Sequence, residues 1–340
     1  MKRILTFGDS WVEGGGLDDP NTNKLYNGTE KEIHSSEDNQ YVGVGRYKNS
    51  YRHKHSWTGY LDRLLDTTRD DWSVDKPYLD NIERGALNFA RGGLSNAGIV
   101  DKVLKIVSVF NGNVSNHGGF FKYGWSGGDE TEFKEGDFNP DEYFVIVSWT
   151  TFYRDHMFNM HGDGKYQTWG INSLTDGANG SMNPHIESYI NGISNLPYLM
   201  ERYLNQCLYL HFFLKSCNIK HMFYNSFNEV VDLFNAIHNH KLIEMDELQE
   251  TIRDNHILSE LFSLLPKDIF YKNKMWGNSQ LAFLLKQVDN YPLDETKYKS
   301  KERPAGYSRL FLDDMHPSEL GNELWSNELY NTEQIQGFLK

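Results

Sequence analysis

The opening run, Met1-Lys2-Arg3-Ile4-Leu5-Thr6-Phe7-Gly8-Asp9-Ser10, constrains this chain more than any other stretch. Ile4, Leu5 and Phe7 are apolar without helical period, and the run stops at Gly8. Such a pattern reads as a buried strand that ends in a tight turn. In open parallel sheets, reactive groups collect outside the carboxyl ends of the strands. The turn therefore offers Ser10 to a crevice. A hydroxyl there is a candidate nucleophile if a base can reach it.

The candidate base stands at the far end, in the stretch from Leu310 to Leu329. Asp313 precedes His316 by three positions. Pro317 suits the first turn of a helix, where its missing N–H would have no partner. Leu320, Leu324 and Leu329 continue that helix on roughly one face. This places His316 at a helix N-terminus, with Asp313 able to fold back onto Nδ1 and Nε2 left to take the Ser10 proton. Asp314 competes with Asp313 for that orienting role. The three groups form a nucleophile, base and orienter, recognised by roles rather than by chain order.

Between these ends, short apolar runs alternate with helical periods, which points to crossovers in a parallel sheet. Trp57 to Leu65 reads as a helix packed beneath the first strand. The segment from Ala86 reads as a strand, a glycine turn and a helix running to about Phe110, capped by Ser95 or Asn96. Tyr143 to Val147 reads as a buried strand, Pro197 to Leu214 as a helix, and Ile219 to Phe227 as another strand. Polar, glycine-rich insertions occupy about 11–56, 111–140 and 155–186, and the last of these reads as a loop. A mainly helical insertion, broken at Pro266, covers about 229–300. Insertions of this length in a compact domain tend to be functional.

Four short blocks resemble the SGNH, or GDSL-type, hydrolase family. "TFGDSW" matches its first block and implies Ser10 as nucleophile. "NFARGGLSN" is similar to the second, implying Gly93 as a backbone oxyanion donor and Asn88 as a strand-end residue. "DDMHPSELG" matches the last block and implies Asp313 and His316 as the remaining triad members. The third block departs from the family, which has Gly-x-Asn-Asp after an apolar strand. Here "YFVIV" runs into Ser148-Trp149-Thr150, with Arg154 soon after, a form similar to a divergent branch common in phage genomes. Thr150 falls nearest the family's Asn position, and its hydroxyl offers one hydrogen bond. Loss of one oxyanion donor typically costs on the order of 10²–10³ in rate.

The resemblance implies a single domain over 1–340 with a three-layer α/β/α sandwich, a mostly parallel sheet and a flavodoxin-like outline. It implies ester hydrolysis without a metal or other cofactor. Ser10 and Gly93 amides, with Thr150, would hold the oxyanion, and Asp9, Trp11, Asn96, Trp149 and Arg154 are candidates to line the substrate pocket. The expected substrate is a small-molecule or glycan ester, an acetyl ester on a sugar first. An O-acyltransferase using the same residues, or an inactive binding or virion protein on this fold, are the alternatives.

Other signals weigh less. Gly124-Trp125-Ser126-Gly127-Gly128 satisfies the Gly-x-Ser-x-Gly pattern. A nucleophile elbow needs a strand before and a helix after, and the charged residues that follow have no apolar face. His53, His55, His117, His156 and His161 are spread over loops, and metal ligands must converge. His238 and His240 suit a helix end, where the dipole favours a cation. Cys207 and Cys217 are too few for a disulfide scaffold. A net charge of -13, from 34 basic and 47 acidic side chains, argues against a nucleic-acid backbone as partner. The apolar runs are too short for a signal peptide or a membrane span, so a soluble, cytoplasmic protein is expected, phage-encoded or virion-associated by the resemblance. The sequence leaves the oligomeric state open.

Overall fold

The computed structural model describes residues 2–14, 17, 54–65, 85–90, 95–110, 139–151, 154–160, 166–172, 196–226, 245–276, 278–291, 308–312 and 316–340. The frame is a four-stranded parallel sheet with helices between its strands, an α/β arrangement. Its strands are β1 (Arg3–Phe7), β2 (Ala86–Asn88), β3 (Tyr143–Trp149) and a fourth strand, Lys220–Asn225. The spatial order is β2, β1, β3 and then Lys220–Asn225. Phe7 pairs with Val147, Thr6 with Asn88, and Trp149 with Asn225, so β3 and the fourth strand run two residues past the carboxyl end of β1.

β3 carries seven buried residues in succession. A continuous apolar run of this kind is what a parallel strand covered on both faces requires. Side chains alternate across a strand, and the two sets enter different core clusters. Leu5, Phe7, Val145, Val147 and Phe223 pack with Ile99, Val103 and Val107 of the helix Asn96–Phe110, and with Leu204, Cys207 and Leu214 of the helix Leu196–Ser216. Ile4, Ile146, Met222 and Tyr224 pack with Trp57 and Leu61 of the helix Trp57–Leu65, and with Trp325, Leu329 and Phe338 near the C-terminus. Each such aliphatic or aromatic side chain contributes roughly 1.5–3 kcal/mol on burial.

In chain order the helices are α1 (Ser10–Glu13), α2 (Trp57–Leu65), α3 (Asn96–Phe110), α4 (Leu196–Ser216), α5 (Met245–Asp254), α6 (His256–Leu264), α7 (Gln280–Leu285), α8 (Glu319–Tyr330) and α9 (Glu333–Leu339). The remaining strands become β4 (Arg154–Met160), β5 (Tyr166–Asn172) and β6 (Lys220–Asn225). Ser95, not Asn96, caps α3, its hydroxyl accepting the Gly98 N–H at 3.3 Å.

Three expectations are corrected. The stretch 155–186 is not simply a loop, because β4 and β5 form an antiparallel hairpin with Arg154 opposite Asn172. The polar residues scattered through both strands hide its alternation. Pro317 is not in the first turn of α8. Ser318 takes the cap position, its hydroxyl accepting the Gly321 N–H at 3.2 Å, and the helix begins at Glu319. Leu320, Leu324 and Leu329 do not share one face. At 3.6 residues per turn, nine residues carry Leu329 about half a turn from Leu320. Leu320 and Leu324 pack on the Trp11, Leu281, Leu310 and Phe311 cluster, while Leu329 and Trp325 enter the core beside the sheet.

Candidate active site

β1 delivers Ser10 through a turn that only glycine fits. A Cβ on Gly8 would stand 2.4 Å from Val12 Cγ2 and 3.0 Å from Ser148 Cβ. Asp9 then caps α1. Its Oδ1 accepts the Trp11 N–H at 3.0 Å, and its carbonyl accepts those of Val12 and Glu13 at 3.2 and 3.0 Å. These bonds consume three first-turn donors and leave the Ser10 N–H without a partner among the described residues. Gly14 closes the turn in the left-handed region at φ 86°, where a side chain is strained. From β2, the Asn88 side-chain amide donates to Val12 O at 2.7 Å, tying α1 to the neighbouring strand end.

His316 is delivered by a pinned loop. Leu312 N–H donates to His316 O at 2.8 Å and Ser318 N–H to Leu310 O at 2.8 Å. Asn322, fully buried on α8, donates to Pro317 O and Ser318 O at 3.0 and 2.9 Å, and accepts the Trp57 N–H at 3.1 Å. One amide side chain thus locks the residues after His316 to both α8 and α2.

The two deliveries meet. His316 Nε2 lies 2.8 Å from Ser10 Oγ, between residues 306 positions apart, and both are half-buried. For the hydroxyl to donate, Nε2 must be bare and Nδ1 must carry the imidazole proton. Asp313, Asp314 and Gly93 lie outside the described residues, as does the Gly124–Gly128 pattern.

Thr150 follows β3 and is buried, at 4 % exposure. It follows the carboxyl end of β3, the strand that pairs with β1 up to Phe7 and Val147. The Asn96 side chain clamps its backbone, donating to Thr150 O at 3.1 Å and accepting from Thr150 N–H at 2.9 Å. Thr150 Oγ1 has no hydrogen-bond partner among the described residues. Two donors without partners among the described residues, the Ser10 amide and the Thr150 hydroxyl, therefore follow the carboxyl ends of the paired strands β1 and β3.

The expected pocket-lining residues mostly serve the interior instead. Asp9 is fully buried as a cap, and Asn96 is the clamp on Thr150. Trp11 packs on Phe311, with ring centroids 6.3 Å apart. Trp149 stands edge-on to Tyr203 and Phe223 at 5.8 and 5.4 Å. Arg154 opens β4, and its side chain lies outside the described residues.

Beside the His316 loop, His55 Nδ1 meets Glu319 at 3.2 Å, and the Arg63 guanidinium stacks 4.1 Å above the Tyr60 ring. Burial, then the Glu319 charge, pushes the Tyr60 hydroxyl up to about 12. Among the described residues no group of three His, Cys, Asp or Glu side chains converges as metal ligands, and no helix is long and apolar enough to cross a membrane. Cys207 and Cys217 are both free, Cys207 buried.

Ser148 and Ser226, buried polar residues at and just past the ends of β3 and β6, and Asn322 are residues that motif spacing does not single out. The one available signal is position, polar residues at or just past the ends of apolar strands and one Asn inside an amphipathic helix. No protein-family model matches the chain, and no curated protein matches it either.

Proposed function

We propose that this chain is a serine esterase of the SGNH type, removing a small acyl group, acetyl first, from a carbohydrate ester. The observation that carries the reading is the 2.8 Å contact between Ser10 Oγ and His316 Nε2 at the carboxyl end of a parallel sheet. The separate core clusters fed by alternate strand residues support a three-layer α/β/α sandwich of flavodoxin-like outline. One such domain, interrupted by insertions, would account for the whole chain.

In this reading Ser10 Oγ bonds to the acyl carbon as its proton passes to His316 Nε2. The carbonyl oxygen gains the negative charge and receives the Ser10 N–H and the Thr150 hydroxyl. The resemblance adds the Gly93 N–H to this set and Asp313 as the orienter of His316. Oxyanion donors of this kind work because they are aimed before the charge develops. Collapse expels the sugar alkoxide, which takes the proton from His316. Water then attacks the acyl-enzyme, His316 takes its proton, and the acid leaves as Ser10 Oγ is reprotonated.

The test is covalent labelling with a fluorophosphonate, located by peptide mass spectrometry. A single label on Ser10, abolished in His316→Ala, is expected. A label on Ser126 alone, or none at all on folded protein, overturns the assignment.

A further inference from the structure

Beneath Ser10 runs a row of buried polar groups that the reaction does not use. Ser148 pairs with Tyr224 across the β3–β6 ladder, and Ser226 follows β6 directly. Ser148 and Ser226 are fully buried, with their hydroxyl oxygens 2.5 Å apart. Ser226 Oγ stands 3.5 Å from Asp9 Oδ1, the same oxygen that caps α1 through Trp11 N–H.

The donors in this row have one consistent direction. A carboxylate oxygen only accepts, so the Ser226 hydroxyl donates to Asp9 and its oxygen accepts from Ser148. The Ser148 hydroxyl heads the row, since the Tyr224 hydroxyl has no hydrogen-bond partner among the described residues. The rings of Trp57 and Trp325 pack on Tyr224, with centroids 6.1 and 5.1 Å away. Trp325 belongs to α8, the helix that follows His316.

We propose that Ser148, Ser226 and Asp9 form a hydroxyl relay that positions the nucleophile. It fixes the Asp9 carboxylate, which fixes the first turn of α1, which holds Ser10 in line with His316. Ser148 and Ser226 are positioning residues that touch no substrate. A buried network whose members are all bonded specifies one arrangement, and its loss loosens the geometry on which the attack depends. The proposal rests on the reading of Ser10 as nucleophile.

The experiment compares Ser226→Ala, Ser148→Ala, the double variant and Ser326→Ala, measuring kcat and KM on p-nitrophenyl acetate per titrated active site, with thermal midpoints alongside. Ser326 is an equally buried hydroxyl on α8 with no partner among the described residues, and serves as the control. Each relay variant is expected to lower kcat about tenfold, with KM changed less than about twofold, as loss of a transition-state alignment does. The double variant should be no worse than either single one, because residues acting as a unit are not additive. Ser326→Ala should keep the parental kcat. If one relay variant fails to fold, the other carries the same comparison. An unchanged kcat, or additive losses in the double variant, overturns the relay while leaving the nucleophile intact. A parental protein without turnover or Ser10 label overturns both.

Discussion

Thr150 shows how one side chain is made available by another. Because Asn96 satisfies both backbone groups of Thr150, the hydroxyl is the only polar group of that residue left over. Leaving a buried hydroxyl unpaired costs about 1–3 kcal/mol, which makes the position informative in two assays at once. Thr150→Val should leave thermal stability equal or higher while lowering kcat about tenfold or more, the scale of an oxyanion donor. Thr150→Ser should keep most of the activity. Equal kcat in the two variants would remove Thr150 from the oxyanion site.

His221 gives a pH prediction at the same scale. Its Nδ1–H donates to Ile219 O, and its Nε2 lies 2.9 Å from His211 Nδ1. Burial lowers its pKa from 6.5 to about 4, and burial and Lys215 also lower that of His211, with Asp268 opposing. Between these two pH values the unfolded chain binds a proton that the folded chain refuses, so stability rises with pH there. The His221 contribution is whole above pH 6.5 and is lost as pH falls through 4. The melting temperature should drop over that window, and His221→Gln should flatten the slope. An unchanged slope would contradict the assignment.

At the scale of elements, α8 decides how His316 is presented. Ser318→Ala removes its cap and should cost about 1 kcal/mol in denaturant unfolding. Gly321→Ala should cost more, because its Cβ would stand 2.4 Å from the Leu310 carbonyl oxygen, inside the turn that leads to His316. Overpacking of this kind typically costs 1–3 kcal/mol. A neutral Gly321→Ala would mean that the turn yields freely. The long amphipathic helices α2, α3 and α4 are legible in the sequence nearly to their ends, since apolar spacing marks them directly. The hairpin of β4 and β5 is not, because its polar residues mimic a loop. The packing of α8 is half legible, since its leucines read as one stripe until the angular spacing is counted. Ser10 and His316 are legible because a glycine turn and a proline punctuate them. Ser148, Ser226 and Asn322 are not, because a polar residue near a strand end or within a helix looks the same whether it is solvated or buried in a network.

Over the whole molecule, the parallel sheet explains why the two ends of a 340-residue chain meet. β1 lies inside the sheet between β2 and β3, so the first strand cannot leave the core, and its carboxyl end opens where β3 and β6 also finish. α8 and α9 return to the Ile4, Ile146 and Met222 side of that sheet through Trp325, Leu329 and Phe338. The last turn before α8 is thereby held against Ser10. The central claim is that this meeting is catalytic, and the most direct test is hydrolysis of p-nitrophenyl acetate by the parental protein beside Ser10→Ala and His316→Ala, each shown to be folded by circular dichroism. Turnover in the parental protein that falls by about 10³-fold or more in both variants, as for linked members of a triad, is the predicted result. Equal turnover in parental protein and folded Ser10→Ala would contradict the account.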